Sequence, residues 1–223
     1  WSWENVLPYF KKAEDQERGS DELHSTKGPL GVADIRLKHE LCEAFIAAGQ
    51  EAGIMRNDDF NGAYQEGVGY YQMTERNGLR CSTAVAYLRD AEKRLNLKIE
   101  THALVNRVLM ENKKAIGIEY TRNGQVHKAM ASGEVILSAG SIGSPQILQL
   151  SGIAAGDMLK SKGIEVIHNL EGVGKNLQDH LQVRMIYKCK RPVSINDTVR
   201  NPFKKAMIGL EFIFNRSGIL TIG

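Results

Sequence analysis

Residues 134–153 read EVILSAGSIGSPQILQLSGI, the pattern of a buried strand followed by a loop and a helix. The apolar run Val135–Leu137 predicts a short strand that is buried on both faces of a sheet. Small residues follow it, and then a predicted helix begins with Ser144 as its N-cap and Pro145 in its first turn. In α/β proteins such a strand-to-helix loop binds nucleotides, because the free N–H groups and the helix dipole favour negative charge. An ordinary strand-to-helix connection accounts for the same pattern, so the residues alone leave both interpretations open.

The composition is that of an ordinary globular protein. The 223 residues are 42% hydrophobic and 25% charged, which is enough for one large or two small domains. The net charge of +3 is scattered along the chain, and no basic stripe interleaved with aromatic residues points to nucleic acid. Cys42, Cys81 and Cys189 are widely spaced, which favours a reducing compartment over a disulfide framework or a metal site. No apolar stretch approaches the ~20 residues that a membrane-spanning helix needs.

Upstream of residues 134–153, the chain has the pattern of consecutive strands. The segments LKIET (97–101), ALVNRVLM (103–110), AIGIEYT (115–121) and QVHKAMA (125–131) are separated by turn residues. The Asn123-Gly124 pair between the last two is a strong hairpin signal. These segments predict an antiparallel β-meander beside the buried strand.

Several further elements are predicted from periodicity and caps. Residues 4–14 predict a helix, in which Pro8 is tolerable only in the first turn. Asp34 is positioned to cap a helix that ends at Gly53, and residues 202–215 predict an amphipathic helix. Alternating or apolar runs predict strands over residues 164–170 and 182–190.

Two motifs are similar to a phosphate-binding loop and to an acid/base pair, but each lacks residues that its chemistry requires. Gly172-Val173-Gly174 lacks the third glycine of a dinucleotide loop and the Lys-Ser/Thr of a P-loop. Asp179 and His180 form a potential acid/base pair, but no nucleophile lies at a defined spacing from them. We therefore interpret Asp179 and His180 as a hydrogen-bonded structural pair.

Residues 134–153 also resemble a signature of a known protein family. Gly140, Ser141, Ser144, Pro145, Leu148, Ser151, Gly152 and Ile153 resemble the second signature of the glucose-methanol-choline (GMC) flavin oxidoreductases. The sequence departs from that signature at Ala154, where the family normally has glycine. Segments similar to others of the family occur in the same order, including WENVLPYFKKAE (3–14), DFNGAYQEGVG (59–69), RCSTAVAYL (80–88) and GVGKNLQDH (172–180). The resemblance covers residues 3 to about 218 and is strongest to choline dehydrogenases.

The resemblance implies an α/β fold with α+β character and FAD as the cofactor. The chain would form part of a glutathione-reductase-like FAD-binding domain with its β-meander, and part of an antiparallel-sheet substrate domain. The resemblance also implies three parts of the chain. Residues 1–70 are helices and loops that bridge the two domains, residues 71–175 are a portion of the FAD-binding domain, and residues 176–223 are the start of the substrate-binding domain. Val105 would present backbone atoms to the adenine, and Ser138, Ala139 and Gly140 would line the adenosine half of FAD.

The function that the resemblance implies is oxidation of a primary alcohol to an aldehyde, with a quinone-type compound or oxygen as electron acceptor. A related alcohol oxidase, a hydroxynitrile lyase on the same scaffold and a non-catalytic folded fragment are the alternatives. The resemblance also implies a cytoplasmic protein, with attachment to the inner membrane face as a further expectation. No catalytic residue is assigned within the chain, because the family's catalytic histidine is expected downstream of Gly223 and its G-x-G-x-x-G segment upstream of Trp1. We expect an internal fragment that by itself is inactive and binds FAD weakly.

Overall fold

The computed structural model describes residues 1–221 of the chain. Its α-helices are α1 Trp3–Ala13, α2 Glu40–Glu51, α3 Arg89–Ala91, α4 Gly140–Leu150, α5 Gly156–Ser161, α6 Ile195–Arg200 and α7 Pro202–Asn215. Its strands are β1 Glu14–Gln16, β2 Leu30–Val32, β3 Glu75–Arg76, β4 Leu79–Arg80, β5 Leu104–Glu111, β6 Lys114–Arg122, β7 Gln125–Met130, β8 Ile153–Ala154 and β9 His168–Asn169. A π-helical turn, Ala84–Leu88, leads into α3.

Backbone contacts divide the chain into two compact units. The first consists of Trp1–Lys98 together with the chain from Ile186 onward, and the second is Ile99–Met185. The domain boundaries expected after residues 70 and 175 stay predictions.

The second unit is built on the β-meander that the sequence predicts. Strands β5, β6 and β7 form an antiparallel sheet in that order. Asn123 and Gly124 both have positive φ angles, 51° and 76°, as a tight hairpin turn requires, so the predicted hairpin is confirmed. The strand expected over residues 97–101 does not form, and the sheet begins at Leu104.

Helix α4 packs against β5 but begins earlier than the sequence predicts. It starts at Gly140, four residues before the expected N-cap Ser144, so Pro145 lies in its second turn. The hydroxyl of Ser144 accepts a hydrogen bond from the backbone N–H of Ala139, at 3.0 Å. The prediction was wrong because this serine satisfies a donor before the helix rather than one in the following turn.

Three further predicted strands are absent or shortened. Within residues 1–221, neither 135–137 nor 182–190 pairs with another strand, and Ile136 is 76% exposed rather than buried. An apolar or alternating run indicates a surface suited to a sheet, but a strand forms only where a neighbour supplies backbone partners. The predicted strand 164–170 is reduced to β9, which pairs in parallel with β8.

In the first unit, helix α2 starts at Glu40 and is capped by His39, whose ring accepts the backbone N–H of Leu41. Asp34 does not cap the helix because its carboxylate is used elsewhere. It pairs with the Arg18 guanidinium at 2.8 Å and accepts a hydrogen bond from the Gln72 amide at 2.9 Å. The predicted start of this helix was therefore wrong.

Two prolines mark the other long helices of this unit. Pro8 lies in the second turn of α1 rather than in the first, so the helix tolerates one missing backbone donor. Helix α7 spans the predicted residues 202–215, with Pro202 at its first position and the Asn201 side chain accepting from two backbone N–H groups. The predicted α7 is confirmed.

Candidate cofactor site

The site begins with an exposed run of small residues before helix α4. Ser138, Ala139 and Gly140 are all exposed. Gly140 has a φ of +83°, and no atom lies within 4 Å of the position that a Cβ would take. Only glycine adopts this backbone conformation readily, and the absence of a side chain leaves open space beside the helix start.

The start of α4 presents unpaired backbone donors. Ala139 is the N-cap residue and supplies no side-chain cap, and the first turn carries no acidic residue. The first N–H groups of any helix have no partner within the helix, and the aligned peptide dipoles place partial positive charge there. This helix end is therefore suited to a negatively charged or hydrogen-bond-accepting ligand.

Strand β5 carries the other predicted contact, Val105, which is half-buried and pairs with Tyr120 of β6. The register between the strands shifts after Val105, and the Asn106 amide donates to the Thr121 hydroxyl at 3.0 Å across this irregularity. Because α4 packs against β5, the structure places Val105 on the strand beside the helix that Gly140 begins. The roles of Val105, Ser138, Ala139 and Gly140 toward a cofactor stay predictions.

Ser151 follows α4, and its sequence context predicts no partner for it. Its hydroxyl accepts the backbone N–H of Val108 at 2.8 Å and donates to the carbonyl of Ile147 at 2.6 Å. Ser151 is only 6% exposed. The sequence shows that a polar residue follows the apolar end of the helix. It does not show that this residue bonds to strand β5.

Ala154, where the family signature has glycine, causes no backbone strain in the structure. Ala154 lies in β8, is fully buried, and does not have a positive φ angle. A glycine is therefore not needed there. The tight turn is made by Gly152, whose φ is +78°.

Asp179 and His180 do not form an acid/base pair. The Asp179 carboxylate accepts the backbone N–H of His180 at 2.9 Å rather than a ring nitrogen, and both residues are exposed. The three cysteines are free. Among residues 1–221, no three His, Cys, Asp or Glu side chains are placed to hold a metal ion, and no helix has the length and apolar content to cross a membrane.

A separate apolar cavity of about 950 Å³ lies in the first unit. The hydroxyl of Tyr70, which lines it, is buried with no hydrogen-bond partner among the described residues. Burial, together with the nearby Glu43 carboxylate and Cys42, raises the pKa of Tyr70 to about 12. Tyr70 therefore stays protonated at physiological pH. Its neighbours in the cavity wall are mainly aliphatic and aromatic, including Leu37, Leu41, Phe45, Ile46, Tyr71 and Met73.

Helix α4, with its open start, packs on the edge of the β-meander, and this arrangement suits a nucleotide ligand. Comparison with known proteins specifies the class further, because residues 1–182 match the GMC oxidoreductase family. The chain belongs to this family, and FAD is the family's cofactor.

Similar sequences include choline dehydrogenases. The chain is 46% identical over 218 residues to the mitochondrial choline dehydrogenase of Homo sapiens, covering 98% of the chain and 36% of that enzyme. It is 45% identical over 222 residues to the oxygen-dependent choline dehydrogenase of Photobacterium profundum, covering 98% of the chain and 39% of that enzyme. The chain therefore spans less than two fifths of the length of these relatives.

Similar solved structures include an FAD-dependent oxidoreductase and a pyridoxine oxidase. An FAD-dependent oxidoreductase from Chaetomium thermophilum superposes with a TM-score of 0.88 at 28% identity, over the whole chain and 41% of that protein. Pyridoxine 4-oxidase from Mesorbium loti superposes with a TM-score of 0.72 at 30% identity, over 77% of the chain and 34% of that protein. These likenesses confirm the predicted fold class.

The residues at the start of α4 fit FAD on structural grounds. The adenosine half of the cofactor needs backbone donors for its ribose oxygens and close access to the main chain. The uncapped α4 supplies the donors, and the open space at Gly140 gives the access.

Proposed function

We propose that the natural protein containing this chain is an FAD-dependent oxidoreductase that converts a primary alcohol to an aldehyde. The observation that carries the proposal is the open, uncapped start of α4 at Gly140, in a chain that belongs to the GMC family. Bound FAD supplies the acceptor for the hydride that leaves the alcohol carbon.

The chain's own residues would hold the adenosine half of the cofactor. The backbone of Val105 would contact the adenine, and Ser138, Ala139 and Gly140 would line the adenosine. Their small size is what supports this assignment, since a larger side chain at this point would fill the space that Gly140 leaves open.

The family resemblance implies that a histidine would take the alcohol proton. His24 is unsuited to this role, because its two ring nitrogens already lie 3.0 Å from the carboxylates of Glu14 and Asp59. His39 uses Nδ1 to cap α2. We infer that these histidines stabilise the fold instead.

Choline is the substrate we propose, because the relatives with 43–46% identity are named choline dehydrogenases. Oxygen is the first candidate for the electron acceptor, since several of these relatives are named oxygen-dependent. A quinone-type acceptor is the second candidate. The cytoplasmic location and the attachment to a membrane stay predictions.

The test is an anaerobic titration of the purified natural protein, followed by its flavin absorption spectrum. We expect choline to bleach the oxidised flavin band, whereas tetramethylammonium, which has the same charge but no hydroxyl, leaves it unchanged. Admitting oxygen or a soluble quinone then identifies the acceptor by the return of the band. A protein that contains FAD but is reduced by no alcohol would favour the hydroxynitrile lyase alternative.

A further inference from the structure

Ser151 connects the two segments to which we assign FAD contacts. It lies directly after α4, the helix that begins at Gly140. Its hydroxyl accepts the N–H of Val108, three residues after Val105 in β5, at a distance of 2.8 Å. The same hydroxyl donates to the carbonyl of Ile147 at 2.6 Å, so both of its hydrogen-bonding directions are fixed.

The bond to Val108 satisfies a donor that the sheet leaves unpaired. The strand order is β5-β6-β7, so β5 is an edge strand of this sheet. Backbone N–H groups on the outer side of an edge strand have no strand partner. Val108 is 6% exposed, so water does not replace the missing partner, and the serine hydroxyl takes its place.

The end of α4 is held on a second side by Gly152. The carbonyl of Gly152 accepts the backbone N–H groups of Ile167 and His168, at 2.9 and 3.1 Å. A Cβ at Gly152 would lie 2.4 Å from the carbonyl oxygen of Glu165, so the chain approaches here as closely as glycine allows. Ser151 and Gly152 together join the end of α4 to β5 and to the chain leading into β9.

Fixing one end of a short rigid helix fixes the other. Helix α4 has 11 residues, which corresponds to a length of about 16 Å at 1.5 Å per residue. A small rotation at Ser151 therefore moves Gly140 and the uncapped N–H groups relative to Val105. A cofactor that contacts both segments would lose hydrogen bonds to one of them after such a movement.

We infer that Ser151 is a positioning residue for FAD, which sets the start of α4 in register with β5 without touching the cofactor. This inference rests on the proposed function, since it assumes that Val105 and Ser138–Gly140 contact FAD. A purely structural serine would contribute only to the stability of the second unit.

The experiment compares FAD affinity in the natural protein after removal and titration of the cofactor, with flavin fluorescence as the signal. Ser151→Ala removes both hydrogen bonds, and we expect its FAD dissociation constant to rise by about tenfold. Ser151→Thr retains the hydroxyl and should restore the affinity to within about threefold of the unsubstituted protein. Ser161→Ala is the matched control, because its hydroxyl donates to the carbonyl of Met158 at the exposed end of α5.

A second readout separates positioning from stability. Hydrogen exchange in the apoprotein should be faster at Gly143 and Ser144 in Ser151→Ala, because these are the first residues of α4 whose backbone N–H groups bond within the helix. Should Ser151→Ala fail to fold, Ser151→Cys supplies a weaker donor and acceptor of similar size and should raise the dissociation constant by a smaller factor.

Unchanged FAD affinity in Ser151→Ala, with reduced stability alone, would overturn the inference and leave the proposed function intact. Failure of the unsubstituted natural protein to bind FAD would overturn both.

Discussion

Nε2 of His24 lies 3.0 Å from Oδ2 of Asp59, while Nδ1 of the same ring lies 3.0 Å from Oε1 of Glu14. His24 is 5% exposed, and the Asp21 carboxylate accepts its backbone N–H at 2.7 Å. Two ring nitrogens that both face carboxylates must both donate, which requires the imidazolium form. Burial of the ring lowers its pKa, but the hydrogen bonds and charges of Glu14 and Asp59 outweigh this effect and raise the pKa above its usual value of 6.5.

The first prediction concerns the dependence of stability on pH. Because the pKa of His24 is higher in the folded protein, its contribution to the free energy of unfolding is fully present below the unfolded pKa of about 6.5 and is lost as the pH rises through the folded pKa. His24→Gln should therefore cost about 1.5–3 kcal/mol near pH 5.5 and clearly less near pH 9. Urea unfolding at the two pH values measures this difference.

His127→Gln is the control for that prediction, because the exposed His127 ring stacks on Tyr120 and no carboxylate is among its contacts in the described structure. A loss in His24→Gln that is the same at both pH values would contradict the charged form of His24.

The second prediction separates backbone strain from steric conflict. Gly152 and Gly163 follow α4 and α5 with similar φ angles, +78° and +71°. Alanine at either position costs about 1–2 kcal/mol for the left-handed conformation. At Gly152 the new Cβ would also lie 2.4 Å from the Glu165 carbonyl oxygen, whereas no atom lies within 4 Å at Gly163. Gly152→Ala should therefore be clearly less stable than Gly163→Ala in urea unfolding, and equal losses would show that the Glu165 segment moves freely.

The third prediction uses another matched pair of glycines to test the cofactor site. Gly140 and Gly124 have φ angles of +83° and +76°, and both lack neighbours within 4 Å of a Cβ. Alanine should thus reduce stability similarly at the two positions, by about 1–2 kcal/mol. Only Gly140→Ala should weaken FAD binding, by about tenfold or more, because its Cβ would enter the space assigned to the cofactor. Titration of the two apoproteins with FAD measures the difference, and equal dissociation constants would remove Gly140 from the site.

The fourth prediction concerns an ion pair that is buried on one side. Nε of Arg36 lies 3.0 Å from Oε1 of Glu75, whose side chain is 3% exposed. Arg36→Met leaves this carboxylate buried without its cation, at a cost of about 3 kcal/mol. Lys93→Met is the control, because the Lys93–Asp90 pair is exposed and its loss costs less than about 1 kcal/mol. Thermal unfolding of the two variants should differ accordingly; if Arg36→Met matches the control, Glu75 has another cation or becomes protonated.

The sequence predicts those elements of the fold that depend on neighbouring residues. The hairpin at Asn123-Gly124 forms because both residues accept positive φ angles, and α7 begins at Pro202 because a proline loses nothing at the first helical position. Both signals act over two or three residues. They are therefore visible without knowledge of the tertiary structure.

Elements that depend on distant partners are predicted poorly. The run Val135–Leu137 has the composition of a buried strand, but a strand also needs a neighbour, and none pairs with it within residues 1–221. Asp34 is a residue type that often caps helices, but here its carboxylate binds Arg18 and Gln72 instead.

The same distinction applies to the candidate site. Ser138, Ala139 and Gly140 are recognisable because small residues before a helix form a local pattern. The bond between Ser151 and Val108 joins residues 43 positions apart, and nothing in either segment specifies the other. Such a contact emerges only from the packing of α4 on β5.

We propose that the segment before α4 and the adjacent part of β5 hold the adenosine half of FAD. A crystal structure of the natural protein with FAD tests it most directly. We expect the adenine against the backbone of Val105 and the adenosine along Ser138, Ala139 and Gly140. An FAD molecule bound away from these residues, or a natural protein that binds no FAD, would contradict the claim.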